Sequence, residues 1–528
     1  VKRAWFSLTV LVLFAGASIA FAEHTGTTLR MAITQDEGTL TPYTYQTGYP
    51  GYELMTLIYD TLYLMDADLE PQPWLAADTQ ISDDGLTYTV TLKEDLVWQD
   101  GEPLTAADVA FTVQYFKDNL LGRFTTAATK VVDVTTPDER TVVMTLSAIE
   151  ATFLTNSLTD IPILPEHVWS GVTAPDTMEQ PMGSGPYMLT EYRTDQFYRL
   201  DENPNFWGPA PAFDAIIAPI IRDQTATFQT LLTGEIDVAV RNVSPELVDR
   251  FAARDDLEVA QGPGFSSTIV IMDMTQGALA NPGVRQVMAG LIDYGRLIDN
   301  LLLGFGTSGP PGFLPPASPV ANPATQEYAL LTHEDAQAQL AELGFDQNDD
   351  GVYVDADGNE LAFEFLTYSD NPIRLRAAEL IAQDLVAGGF DITIRTMERE
   401  ALVERVWPGF DVSQGRSYQM SMFGWSAPVA AQARLGALMH SDPSIGNLNL
   451  SGYSNPEADR LIEEAAVTTD DAAREALLFE LQEIMARDLP LITLFYQDGI
   501  FAYNPAAFDD WTFMAGQGII NKNSFVTE

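Results

Sequence analysis

Nucleophilic and metal chemistry have little to draw on in this chain. Cysteine is absent, and the four histidines, His24, His167, His333 and His440, stand far apart. There is no Gly-x-Ser-x-Gly elbow and no Gly-x4-Gly-Lys-Ser/Thr phosphate loop, and His333-Glu334 lacks the second histidine of a zinc pair. The 75 acidic residues could supply an acid/base pair for a carboxylate-dependent hydrolase, but no spacing selects one; turnover of a bound ligand would mark that class. Asp346-x-Asn348-x-Asp350-Gly351 begins like a calcium loop, yet its twelfth position is Asp357 where a bidentate Glu is needed, so the segment reads as two tight hairpin turns. What the chain offers in quantity is aromatic surface beside Gly/Pro loops. Tyr43, Tyr45, Tyr49 and Tyr52 follow Gly38 and Pro42, and Trp425 follows Gly424. Flat apolar faces with a few polar anchors are the chemistry of binding a solute. A structural or chaperone role is the third class, which an exposed apolar surface in place of a closing cleft would mark.

The elements that must position these residues follow from periodicity and capping. Thr28–Ile33 and Thr87–Leu92 read as strands. Tyr187–Leu200 reads as strand on its Tyr, Phe, Leu and Thr content, after Gly183, Gly185 and Pro186 set a constrained turn. Thr105 with Asp108 forms a capping box for a helix carrying Val109, Val113, Phe116 and Leu120 on one face, which gives Asp108 a structural role. Ile216–Ile221, Gln224–Leu232 and Ile236–Val240 read strand, helix, strand. Asn281-Pro282, Asn371-Pro372 and Asn455-Pro456 each supply an N-cap followed by a proline at the first helical position. The second of these helices, between Leu361–Phe365 and Phe390–Ile394, completes a βαβ unit. Leu491–Tyr496 is nearly continuously apolar, as a strand buried on both faces is.

With 27 Lys and Arg against 75 Asp and Glu, the formal net charge is −48, which excludes nucleic acid and anionic membrane surfaces as partners. The acidic residues are spread along the chain, as in a solvated surface suited to salty surroundings. At the N-terminus, Lys2 and Arg3, the apolar stretch Ala4–Ile19 and Ala20-Phe21-Ala22 have the order of a signal peptide, with cleavage expected after Ala22.

Several motifs, in order, resemble those of the solute-binding proteins of ABC importers, family 5, the cluster serving peptides, nickel and opines. Gly183-Ser184-Gly185-Pro186-Tyr187 resembles its Gly-Thr-Gly-Pro-Tyr signature, and Asn203–Gly208 its Asn-Pro-x-Tyr-Trp-Gly run. Gly234–Asp237, Val284-Arg285-Gln286, Gly424-Trp425 and Tyr453–Asp459 resemble its Gly-Glu-Ile-Asp, Val-Arg-Gln, Gly-Trp and Tyr-Ser-Asn-Pro-Glu-x-Asp elements.

The resemblance implies an α/β, two-lobed periplasmic binding protein fold (type II, with the extra domain of the peptide-binding cluster) and a ligand cleft between the lobes. It implies a signal peptide over 1–22, a discontinuous domain I over 23–60, 183–274 and 491–528, a small extra domain II over 61–182, and a second lobe, domain III, over 275–490. The expected ligand-binding residues are Asp36, Glu37, Gly38, Tyr43 and Tyr45 from the first lobe, Gly424, Trp425 and Ser426 from the second, and Tyr496 near the hinge. No catalytic residue, metal ligand or cofactor is assigned. The implied function is periplasmic capture of a peptide-like solute and delivery to the transmembrane subunits of an ABC permease, by a monomer. In peptide-binding relatives the Gly-Trp element is followed by an Asp that pairs with the peptide ammonium. That position holds Pro428 here, which leaves an oligosaccharide or an opine as alternative ligands.

Overall fold

The computed structural model describes residues 27–44, 51–120, 124–240, 242–425 and 431–526. The leader with Ala22, and Tyr45, Tyr49, Ser426 and Pro428, lie outside the described residues. Three sheets organise the chain. A seven-stranded sheet runs in the order Glu258–Gly262, Gly499–Tyr503, Val238–Ala239, Thr28–Ala32, Ala215–Pro219, Phe197–Glu202, Tyr187–Arg193. A six-stranded sheet runs Gly306–Ser308, Leu491–Gln497, Ser267–Met272, Met420–Phe423, Ala362–Tyr368, Asp391–Met397. A four-stranded antiparallel sheet, Ala76–Ile81, Thr87–Leu92, Thr141–Leu146 and Val131–Thr135, packs with the helix Ala106–Asp118 as a smaller unit.

The Asn-Pro starts behave as their chemistry requires. Asn281, Asn371 and Asn455 each accept a backbone N–H from the first turn of the helices Pro282–Leu291, Pro372–Ala387 and Pro456–Val467. Val284, Val287, Met288 and Leu291 of the first, and Ala377, Leu380, Ile381 and Leu385 of the second, bury together against the six-stranded sheet. Ala362–Tyr368 and Asp391–Met397 pair in parallel, as a βαβ crossover demands. Asp108 accepts the Thr105 amide at 2.8 Å and the Glu166 amide at 2.9 Å, so capping and packing absorb it. The segment that begins like a calcium loop forms the hairpin Asp346–Gln347 with Tyr353–Val354 and a second turn closed by Asp355 on Asn359.

Three expectations change. Tyr187–Leu200 is a hairpin, not one strand: the chain reverses between Arg193 and Phe197, with Asp195 in the left-handed region at φ 57°. Leu120 lies beyond the end of its helix, past the Asn119 cap, and is 67% exposed, so it adds nothing to the apolar face. The strands Ser267–Met272 and Leu491–Gln497, assigned by resemblance to domain I, hydrogen-bond to each other within the six-stranded sheet. The chain therefore passes between the two large sheets twice, through Pro263–Ser266 and through Asp498.

The Gly183–Tyr187 motif closes the end of the helix Gly51–Ile58. The Gly185 amide donates to the Ile58 carbonyl at 2.9 Å, filling an acceptor the helix leaves open. A Cβ on Gly183 would stand 2.1 Å from the Ile58 oxygen, and one on Gly185 2.5 Å from the Leu57 oxygen, so only glycine permits the approach. Ser184 donates at 2.8 Å to Asp60, which also accepts Trp74 Nε1 at 2.7 Å, Trp207 Nε1 at 3.1 Å and Lys522 Nζ at 2.5 Å. Asp60 and Lys522 are fully enclosed, and burial depresses the lysine pKa, with Asp60 partly restoring it. Asp60→Ala strands that ammonium without its counter-charge. The expected loss is about 3–5 kcal/mol of unfolding free energy, read from the denaturant midpoint; an unchanged midpoint would contradict it.

Candidate functional site

A cavity of about 500 Å³ opens where the two crossing segments pass each other. That size suits a small ligand or part of a larger one, since such pockets run to about 300–1,000 Å³. Pro263, Gly264, Phe265 and Ser266 line it from one crossing, and Gln497, Asp498 and Gly499 from the other. The first lobe adds Thr34, Glu53, Asn242, Phe501 and the Gly516–Gly518 turn. At the crossing the two backbones touch: a Cβ on Gly264 would stand 2.0 Å from the Gln497 carbonyl oxygen.

The expected first-lobe residues Asp36, Glu37, Gly38 and Tyr43 do not line the cavity. Asp36 follows Thr34 by two positions and accepts four hydrogen bonds, from Tyr192 and Tyr198 hydroxyls at 2.8 Å each, from the Asp195 amide at 2.6 Å and from the Gly38 amide at 2.9 Å. Burial acts to raise its pKa, but these donors outweigh burial and hold the carboxyl below its usual range. Tyr192 and Tyr198 stack with ring centroids 4.9 Å apart, so Asp36 pins the loop to the hairpin that the sequence read as one strand. Glu37 is fully buried and accepts Gln35 Nε2 at 2.8 Å. Its carboxyl stands against Gly51, the first residue of the helix that carries Glu53, where a Cβ would lie 2.4 Å from Glu37 Cδ. Gly38 takes the left-handed conformation at φ 67°. Tyr43 packs on Phe116, Tyr115 and Trp169, joining the loop to the four-stranded unit, and burial raises its phenol well above the ordinary value.

On the second lobe, Gly424-Trp425 is clamped to the strand that leaves the crossing. The Ser267 amide donates to the Trp425 carbonyl at 2.9 Å, and the Trp425 amide to Ser267 Oγ at 3.2 Å. A Cβ on Gly424 would meet the Ser267 carbonyl at 2.3 Å. The Trp425 ring packs against Phe423 and Trp407, with the Arg434 guanidinium 5.5 Å from its centroid, and its indole N–H reaches no acceptor among the described residues. Tyr496 is 1% exposed, donates its hydroxyl to the Phe313 carbonyl and packs on the Phe313 ring, while its neighbour Gln497 lines the cavity. The structure thus brings the Gly424-Trp425 corner and Tyr496 to the crossing, ties Asp36 to the Tyr187–Glu202 hairpin and Glu37 to the helix start at Gly51, and directs Tyr43 into the small unit. Tyr45 and Ser426 lie outside the described residues.

Reading the sequence missed Glu53, Asn242, Ser266, Gln497, Asp498 and Gln517. Asp498-Gly499 between two apolar strands is ordinarily a hairpin signal. Here the strands on either side belong to different sheets, and the dipeptide marks the second crossing. Among the described residues no group of three or more His, Asp or Glu side chains is arranged to hold a metal ion, and no helix is long and apolar enough to cross a membrane.

A family profile described as bacterial extracellular solute-binding proteins, family 5 middle, matches residues 70–442. The oligopeptide-binding protein AppA of Bacillus subtilis is 25% identical over 480 residues, covering 88% of this chain and 86% of its own. The solved structure of that AppA with a nonapeptide superposes with a TM-score of 0.70 at 22% identity, covering 95% of this chain and 99% of its own. The structure of NikA from Brucella suis in complex with Fe(III)-EDTA gives 0.80 at 20% identity, covering 95% and 100%. These likenesses carry the two-lobed fold.

Gly264→Ala adds a methyl group against a backbone oxygen that cannot turn aside. It should lower the unfolding free energy by about 1–3 kcal/mol. Gly171→Ala, where a Cβ meets nothing within 4 Å, should leave the midpoint in place. Equal midpoints for the two variants in a denaturant titration would contradict the close crossing.

Proposed function

The chain belongs to family 5 of the bacterial extracellular solute-binding proteins, a family of binding proteins and not of enzymes, and from that premise we propose that it captures a peptide-like solute and hands it to the transmembrane subunits of an ABC permease. The observation that carries the reading is the cavity at the double crossing, lined by both segments that join the two large sheets. Two short segments that each join a strand of one sheet to a strand of the other can absorb a rotation in a few backbone angles while both sheets stay intact. A solute that touches both walls stabilises the closed arrangement by its differential affinity for it, and the closed form is what a permease distinguishes from the empty one.

Under this reading Asp36, Glu37, Gly38, Tyr43 and Tyr45 are the first-lobe residues that shape the binding site, with Thr34 lining the cavity. The second-lobe wall is Gly424, Trp425 and Ser426, and Tyr496 backs the hinge. The lobes divide by sheet membership: the second lobe spans 267–497, the first holds the remainder, and the four-stranded unit is an appendage of the first. The leader directs export, cleavage after Ala22 releases the mature chain, and the protein works in a periplasm. Peptide leads among solutes because relatives along nearly the whole chain include a protein named for oligopeptide binding.

Thermal melting of residues 23–528 against separate panels of tetrapeptides, oligosaccharides and opines tests the reading. A ligand at one hundred times its Kd adds about 2.7 kcal/mol to the folded state, which raises the melting midpoint. The midpoint is expected to rise with peptides. A rise with oligosaccharides or opines and none with peptides would overturn the peptide assignment.

A further inference from the structure

Two carboxyl-bearing side chains face the hinge cavity, and among its described lining residues there is no Lys or Arg. Glu53 comes from the first turn of the helix Gly51–Ile58 and is 4% exposed. Asp498 comes from the second crossing and is half-buried. Its carboxylate has one donor among the described residues, Gln261 Nε2, 2.6 Å from Oδ2. Burial raises its pKa above the ordinary range, and Gln261 offsets this only in part.

Three other enclosed carboxylates among the described residues are provided for. Asp60 has Lys522 and three neutral donors, and Asp237 has the guanidinium of Arg30 at 2.7 Å. Asp273, without a cation, accepts from the Thr275 amide and hydroxyl and from Gln276. Among the described residues Asp498 has neither a cation nor a set of neutral donors, and it opens on a cavity whose polar walls besides Glu53, namely Thr34, Asn242, Ser266, Gln497 and Gln517, are uncharged. A partly desolvated carboxylate in that position gains more from an arriving cation than from any neutral group, and a ligand anion there would meet two carboxyl-bearing side chains and no Lys or Arg among the described lining residues.

We propose that the hinge cavity seats an ammonium or guanidinium group of the bound solute on the Asp498 carboxylate, with Glu53 as the second carboxyl of the same chamber, so that Asp498 selects for cationic ligands. This rests on the peptide-like reading and sharpens it: the cation is an α-ammonium or a basic side chain, and its anchor sits at the hinge instead of after the Gly-Trp element, where Pro428 stands. An anchor at the crossing also ties recognition to closure, because Asp498 lies on one of the two segments that must change their backbone angles.

The test uses residues 23–528 and three tetrapeptide pools: free-amine without Lys or Arg, N-acetylated without Lys or Arg, and N-acetylated with Lys at the second position. The readout is the concentration giving half the maximal thermal shift. Either the first or the third pool is expected to act at least ten-fold below the acetylated, uncharged pool; which of them does identifies the α-ammonium or the side chain as the source. Asp498→Asn is expected to abolish that ten-fold preference, read as the ratio of the half-maximal concentrations of the two pools within the variant. Equal responses of the wild type to all three pools would overturn the inference and leave the peptide reading standing, as would a preference that survives in Asp498→Asn. Silence of the wild type toward every pool would overturn the peptide reading and this inference with it.

Discussion

A single enclosed carboxylate, Asp60, fixes the geometry on which the hinge cavity depends. It follows the helix that carries Glu53, and its four donors come from four separated parts of the chain: Trp74, Ser184, Trp207 and Lys522. Lys522 is the decisive partner. It lies two residues after Ile520, in the segment whose Gly516–Gly518 turn lines the cavity, and it also donates to the Tyr59 carbonyl at 3.0 Å. An ammonium and a carboxylate taken out of water cost several kcal/mol each unless they find one another. The C-terminal segment therefore has one low-energy seat, and one cavity wall is held by an ion pair whose two residues are not part of the cavity lining.

The same logic separates the groups that shape the binding wall from those free to meet a solute. Asp36 and Glu37 carry charge at the first-lobe loop, yet the first is saturated by four donors and the second is buried against the start of a helix. Their energy goes into holding a Gly/Pro loop in one conformation, which spares the ligand the ordering entropy of that loop. Asp498 differs because the segment that carries it must remain able to bend, and a dense donor network there would lock the crossing. A carboxylate with a single neutral donor is compatible with motion and unsatisfied until a cation arrives.

Much of the fold is legible in the sequence because local chemistry decides it. Asn-Pro fixes three helix starts through side-chain caps and a preset φ, the βαβ alternation fixes a parallel pair, and Thr105 with Asp108 fixes a cap. The family motifs are legible for the same reason: Gly183 and Gly185 are required wherever a backbone lies directly on a helix end. The cavity is hidden because its residues come from segments far apart in the chain and are brought together only by sheet membership. Leu491–Gln497 and Gly499–Tyr503 look like a hairpin around Asp-Gly, and nothing local records that their partners lie in different sheets. Leu120 and the turn at Asp195 fail for a smaller reason, since element ends are set by caps and by tertiary partners such as the Asp36 carboxylate on the Asp195 amide.

Closure about the two crossings is the central claim, and small-angle X-ray scattering of residues 23–528 measures it most directly. With saturating tetrapeptide, the radius of gyration is expected to fall below that of the unliganded chain, and the scattering to match a mixture of open and closed forms at intermediate concentrations. A radius that stays constant while melting shows the peptide bound would mean that the solute sits on one lobe alone, and the double crossing would be a rigid junction.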